Sequence, residues 1–156
     1  MPDWTGFAEL YHEVYREPPY RESAADAARF REALAGHAEL PGFALETVHS
    51  GGELAGFAYG VAREAGWWPS LAAGDPPSWL AGSPLFYVYE FAVRPGLRGR
   101  GHGRAMLDRL LGARTEPAAV LAATTAAPAH ALYRRWGWTV VAPVKTGASE
   151  LLARPL

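Results

Sequence analysis

Apolar residues recur along this chain at two periods, and the switches between them divide it into elements. Phe7, Leu10, Tyr11 and Val14 recur at helical spacing and predict a helix over residues 1–17. Asp3 or Thr5 can cap it, and Pro18-Pro19 stops it. Ser23 caps a second helix to about His37, with Ala27, Phe30, Ala33 and Leu34 facing inward, and Pro41-Gly42 breaks it. Residues 43–49 and 54–63 read as strands, and Ser50-Gly51-Gly52-Glu53 between them is a hairpin signal. The run LFYVYEFAV, Leu85–Val93, is apolar almost throughout, as a strand buried on both faces should be. Met106, Leu107, Leu110 and Leu111 then form a helical stripe that ends near Gly112. Ala118–Thr124 reads as a short strand. Pro128 suits the first turn of a helix carrying Ala129, Leu132, Tyr133 and Trp136 on one stripe, and Gly137 ends it. Residues 138–144 and 149–152 are closing strands around the turn Lys145-Thr146-Gly147-Ala148. This alternation predicts the α/β class: one mixed central sheet with helices on both faces.

Residues 64–84 break the pattern. Trp67-Trp68-Pro69, Gly74-Asp75-Pro76-Pro77, Trp79 and Gly82-Ser83-Pro84 are too rich in proline and glycine for one regular element. The tryptophans argue against disorder. Two readings stand: a lid packed by its own aromatics, or a wall of an acceptor pocket.

The length of 156 residues suits one domain, 1–156. A hydrophobic content of 49% is enough for a sizeable core. There is no cysteine, which removes disulfides, thiolate nucleophiles and Cys-based zinc sites. No run approaches the ~18 apolar residues a membrane span needs, and the N-terminus is polar and aromatic. A soluble cytoplasmic protein, with no membrane partner, is the expectation. His12, His37, His49 and His130 show no metal-ligand spacing, so no metal is expected.

The formal charge of −1 makes one basic cluster a local feature. Arg94, Arg98, Arg100 and Arg104 fall in the stretch EFAVRPGLRGRGHGR with no acid among them, and Gly99, Gly101 and Gly103 alternate through it. Glycine lets backbone N–H groups approach a ligand closely. A helix opening near Gly101 adds unpaired N–H donors and the positive end of its dipole. Together they form a seat for a phosphorylated ligand. A dinucleotide fingerprint would want an acid at the end of the next strand, but Glu116 precedes that strand. A Walker A loop would need Gly-Lys-Ser/Thr, which is absent. Nucleic acid fits poorly, because the aromatics lie at core spacing and the whole chain is not basic.

The segment Arg98-Gly99-Arg100-Gly101-His102-Gly103, preceded by Val93-Arg94-Pro95, resembles the acetyl-CoA-binding motif of the GNAT superfamily of N-acetyltransferases. A second segment, Ala131-Leu132-Tyr133-Arg134-Arg135-Trp136-Gly137-Trp138, resembles that family's Leu-Tyr-x-x-x-Gly-Phe stretch, with Trp138 in the aromatic place. The resemblance implies a GNAT-like fold whose first N-terminal strand is missing here, since the helices begin almost at once. It implies acetyl-CoA as cosubstrate and a small-molecule or peptide amine as acceptor. A homodimer is compatible with it. Arg98 and the N–H groups of Gly99, Arg100, Gly101, His102, Gly103 and Arg104 would hold the pyrophosphate. The backbone of Phe91, Ala92 and Val93 would pair with the pantetheine arm, and N–H groups around Ala92 would stabilise the oxyanion. Many relatives carry Asn where Ala126 stands, so either a side-chain hydrogen bond to the pantetheine arm is lost or Thr124 or Thr125 substitutes.

Two residues are candidates for proton transfer. By the resemblance, Tyr133 lies near the thiol of coenzyme A and would protonate the leaving thiolate. It also falls on its helix's apolar stripe, where a tyrosine is often only core. Glu90 is a lone carboxylate in an apolar strand, so its pKa should rise, and it is a candidate base for the attacking ammonium. It could equally be satisfied by backbone donors or an arginine, and a one-residue offset would put Tyr89 in its place. Glu13, Asp75 and Trp67-Trp68 hint at a cationic amine acceptor. Tyr11 and Tyr15 read as core. The sequence carries two leading functions: an acetyltransferase acting by direct attack in a ternary complex, and a non-catalytic acyl-CoA-binding module of the same fold.

Overall fold

A computed structural model describes residues 2–156. The elements, in chain order, are α1 (Thr5–Tyr15), α2 (Ala24–His37), β1 (Phe43–Ser50), β2 (Glu53–Arg63), β3 (Leu85–Val93), α3 (His102–Gly112), β4 (Ala118–Thr124), α4 (Pro128–Arg135), β5 (Thr139–Pro143) and β6 (Ser149–Pro155). The six strands form one mixed sheet in the order β1-β2-β3-β4-β6-β5. Among the described residues no strand precedes α1. The chain divides into two compact units: residues up to Val61 with Glu90–Ala113, and Ala62–Tyr89 with Arg114–Leu156.

In the first unit α1 is shorter than the predicted 1–17, of which Met1 lies outside the described residues. Asp3 Oδ1 accepts from the Thr5 amide at 3.0 Å and satisfies one of the free first-turn donors. The α2 cap is as expected: Ser23 and Asp26 form a reciprocal capping box. Of the predicted inward residues, Ala27, Phe30 and Leu34 are buried, but Ala33 is exposed. One turn separates Phe30 from Ala33, and the small side chain falls at the margin of the stripe. β1 and β2 form the expected hairpin, with both turn glycines at positive φ (Gly51 59°, Gly52 82°). Aromatic rings fill the space between the helices and β2: Tyr11 stacks on Phe30 at 4.2 Å, and Phe7 meets Phe57 edge-on at 5.3 Å. On the other side, α3 buries Met106, Leu107, Leu110 and Leu111, the stripe read from the sequence. Successive strand residues face opposite ways, so Glu90 faces α1 while Phe91 and Val93 lie under Gly103 of α3.

In the second unit, β3 and β4 pair in parallel from Phe86↔Ala119 to Val88↔Leu121, and β4 pairs antiparallel with β6. Leu85, Tyr87, Val120, Leu151 and Ala153 belong to its buried core. β5 is shorter than the predicted 138–144, because Trp138 stays outside the ladder and the register shifts between Val140 and Ala142. Val144 instead bridges to Ala72. Residues 64–84 form no helix or strand, yet Ala72 and Leu80 are buried and Trp67 and Trp68 pack against the core. Trp68 Nε1 donates to Gly74 O at 2.9 Å, so these aromatics hold the segment, while Trp79 is exposed. No helix among the described residues is long and apolar enough to cross a membrane.

Candidate active site

In the first unit β3 ends at Val93, where the Arg94 amide donates to Ala55 O at 2.8 Å. A short 3-10 turn, Pro95–Leu97, leads into the glycine loop. Gly99 and Gly101 have φ of 77° and 80°, the left-handed region where a Cβ is costly, and Gly101 is the N-cap of α3. Gly103 is needed for a different reason. A Cβ there would stand 2.9 Å from Phe91 Cζ and 3.3 Å from Val93 Cγ2. The first amide engaged in the helix is that of Ala105, which donates to Gly101 O at 3.1 Å. The amides of residues 99–104 make no hydrogen bond among the described residues. Arg100 and Arg104 are exposed and form no ion pair among them. The loop therefore presents backbone donors, a helix dipole and free cations together, the combination that attracts phosphate.

The other two arginines are engaged. Arg94 Nε pairs with Glu13 at 3.1 Å, and its Nη1 reaches Glu53 at 3.5 Å. Glu13 is thus held by Arg94 rather than left for a cationic ligand. Arg98 Nε donates to Val93 O at 3.1 Å, and Nη1 pairs with Glu17 at 3.1 Å. That side chain is 46% exposed, so the Glu17 pair is a surface pair of small energy.

Glu90 has no arginine partner among the described residues. Tyr15, expected to be core, donates its hydroxyl to Glu90 Oε1 in a very short hydrogen bond, and the same hydroxyl lies 3.2 Å from Phe91 O. Burial pushes the Glu90 carboxyl up to about 8. The Tyr15 hydrogen bond pulls it down, the Glu22 charge pushes it up, and a backbone hydrogen bond at Phe91 pulls it down. Around it Tyr11 donates to Glu22 Oε1 at 2.5 Å, and Tyr20 meets Tyr15 edge-on at 4.7 Å. Burial, then the Glu90 charge, raises the Tyr20 pKa. An aromatic pocket thus holds a carboxylic acid that can lose its proton just above neutral pH.

Tyr133 belongs to the second unit. It is 6% exposed and meets Trp136 and Trp138 edge-on at 6.1 and 6.0 Å. Trp138 is buried, and its Nε1 has no hydrogen-bond partner among the described residues. Thr125 bonds Ala148 O through its hydroxyl at 3.4 Å, which ties it to the turn before β6. Tyr89 is engaged with Arg63, whose Nη2 donates to its hydroxyl. His130 pairs with Glu150 at 2.8 Å, and His37 lies 3.0 Å from the Tyr59 hydroxyl, so both are structural. Among the described residues no cluster of three or more His, Cys, Asp or Glu could hold a metal. The arginine and glycine cluster pointed to the loop and the lone acid of an apolar strand to Glu90, whereas Tyr133 came from the family resemblance. Tyr15, read as core, was missed as the partner of Glu90, because a lone acid in an apolar strand does not say which ring will reach it.

The acetyltransferase (GNAT) family model matches residues 4–138. Comparison with curated proteins finds no match. Solved structures of similar fold include an acetyltransferase from Thermus thermophilus, 19% identical, covering 96% of this chain and 90% of that one, with TM-score 0.64. The PaiA N-acetyltransferase from Thermoplasma acidophilum, in complex with coenzyme A, is 11% identical over 99% of this chain and 93% of that one, TM-score 0.68. A ribosomal-protein alanine N-acetyltransferase from Escherichia coli is 17% identical over 99% and 90%, TM-score 0.59. At these identities the likeness is one of fold. The family match spans most of the chain and includes both the glycine loop and Tyr133, and the chain belongs to the acetyltransferase (GNAT) family.

Proposed function

We propose that this protein is a single-domain cytoplasmic N-acetyltransferase that moves an acetyl group from acetyl-CoA to a primary amine by direct attack in a ternary complex. The observation that carries the reading is the run of amides over residues 99–104 without acceptors among the described residues, with exposed Arg100 and Arg104 in the same run. These amides and Arg98 would hold the pyrophosphate. The backbone of Phe91, Ala92 and Val93 would align the pantetheine arm. The PaiA structure with coenzyme A supports a coenzyme A thioester as the donor. The ribosomal-protein acetyltransferase supports a peptide amine as one class of acceptor, beside small amines.

In this scheme Glu90 takes a proton from the acceptor ammonium, directly or through water, because only the neutral amine attacks. The amine nitrogen bonds to the thioester carbon, and an N–H near Ala92 steadies the oxyanion. The C–S bond then breaks, Tyr133 gives its proton to the departing thiolate, and the second proton shed by the new amide nitrogen returns through water to Tyr133. The test is release of free thiol from acetyl-CoA against a broad amine panel, with mass spectrometry of the protein during turnover. Thiol release with an unmodified chain is expected. Calorimetric binding of acetyl-CoA without thiol release from any amine would reject catalysis and leave a binding module.

A further inference from the structure

Two tyrosines of α1 stand four residues apart, and each holds a carboxylate. Tyr11 donates to Glu22 Oε1 at 2.5 Å, and Tyr15 donates to Glu90 Oε1. Residues four apart share a helix face, and the two rings lie 4.5 Å from each other, so both acids are brought to one side of α1. Glu22 is fixed through its backbone as well. Arg21 has a φ of 50°, a region that residues with a Cβ seldom enter, and after it the Glu22 amide donates to Tyr15 O at 2.7 Å. All of these residues belong to the first unit.

The neighbouring acids are neutralised and these two are not. Glu13 pairs with Arg94, Glu17 with Arg98 and Asp26 with Arg29. Neither Glu22 nor Glu90 pairs with an arginine, lysine or histidine among the described residues. The elements packed around them bring no spare cation. Tyr20, edge-on to Tyr15 at 4.7 Å, feels the charge of Arg98, which Glu17 already holds. Asp26 of α2 acts on Tyr11 but is bound to Ser23 and Arg29. On β2, Tyr59 lies beyond Phe30 with its hydroxyl 3.0 Å from His37 Nδ1. Tyr11 senses both acids: burial and its bond to Glu22 raise its pKa, and the charges of Glu90 and Glu22 raise it further. A like charge beside a buried acid favours the protonated form of that acid. A carboxylate that is held in place and left unneutralised exerts this effect in full.

We propose that Glu22, fixed by Tyr11 and by the turn at Arg21, is a positioning residue for Glu90: its charge strengthens Glu90 as the base that takes the acceptor's proton. This rests on the acetyltransferase reading, in which the proton passes from the ammonium nitrogen to a Glu90 carboxylate oxygen. Glu22 neither gives nor takes a proton. Tyr15 and Glu22 then act on the base in opposite senses, Tyr15 steadying its ionised form and Glu22 its protonated form.

The experiment follows the isotope-labelled carboxyl resonance of Glu90 through a pH titration, with the signal assigned by its loss in Glu90→Gln. Profiles of kcat/KM against pH are recorded beside it by thiol release with two amines of different basicity. Glu22→Gln removes the charge and keeps the size, whereas Glu22→Asp keeps the charge. The Glu90 midpoint should fall by about half a pH unit or more in Glu22→Gln, stay near the wild-type value in Glu22→Asp, and rise in Tyr15→Phe. The rate inflection should move with it. Glu22→Ala reads the same loss of charge if Glu22→Gln does not fold. A midpoint unchanged in the folded neutral variant overturns the proposal. So does an equal fall in Glu22→Asp, which would make the effect one of packing. A midpoint that falls while the rate inflection stays put rejects Glu90 as the base, and with it the role of Glu22. If no amine releases thiol, the acetyltransferase reading fails, and the resonance still decides whether Glu22 acts on Glu90.

Discussion

Tyr15, the last residue of α1, donates its hydroxyl to Glu90 of β3, 75 positions further along the chain. One short bond thus ties the first helix to the only acid of a strand that is otherwise apolar. It opposes the effect of burial, which keeps the carboxyl protonated at neutral pH.

Stability should carry the mark of Glu90. Its pKa is about 8 in the folded chain against an ordinary 4.5, so between those values the folded state holds a proton that the unfolded state has lost. Stability from this group is therefore fully present below pH ~4.5, falls as pH rises through ~8, and is level above. Glu90→Gln should remove that fall. Urea titrations of both proteins at pH 5, 7 and 9 check it; a slope unchanged in the variant refutes the assignment.

Activity should move the opposite way. If Glu90 is the base, kcat/KM rises with pH to an inflection near 8, whichever amine is used. Tyr15→Phe removes a bond that favours the carboxylate, so the inflection should shift upward. Rate profiles with two amines of different basicity separate the enzyme's group from the acceptor's own. An inflection that follows the amine, and is indifferent to Tyr15, would remove Glu90 from the mechanism.

The loop glycines should fail for different reasons. Gly101→Ala meets open space but a φ of 80°, and should cost about 1–2 kcal/mol. Gly103→Ala drives a Cβ to 2.9 Å from Phe91 Cζ, and should cost about 1–3 kcal/mol by overpacking. Adding Phe91→Leu should recover stability in the second case and not in the first. Thermal melts of the single and double variants decide this.

If Arg98 holds the pyrophosphate, Glu17 competes with it for the Arg98 guanidinium. Glu17→Gln should tighten coenzyme A by about twofold to fivefold, the worth of an exposed pair, and the gain should shrink at high salt. Arg98→Ala should weaken it by about tenfold or more. Calorimetry at two salt concentrations is the check. Weaker binding in Glu17→Gln would mean that Glu17 positions Arg98 rather than occupying it.

Tyr133→Phe should lower kcat by roughly a hundredfold or more while acetyl-CoA affinity stays put. Full turnover in this variant would leave Tyr133 as core, a role its burial beside Trp136 and Trp138 also suits.

Local chemistry made much of this protein legible in its sequence. Ala118–Thr124 needed only a short apolar run, the α3 stripe only its spacing, and the hairpin only two glycines where φ must be positive. The glycine loop was readable because cations, absent side chains and a helix start act over a few residues. Contacts between distant segments were not readable. Which ring would reach Glu90, which acid would hold Arg98, and that Arg63 would lie over aromatic rings all depend on strand register and helix placement. Burial then set the acidity of Glu90, because desolvation is a property of everything packed around a group and of no residue alone.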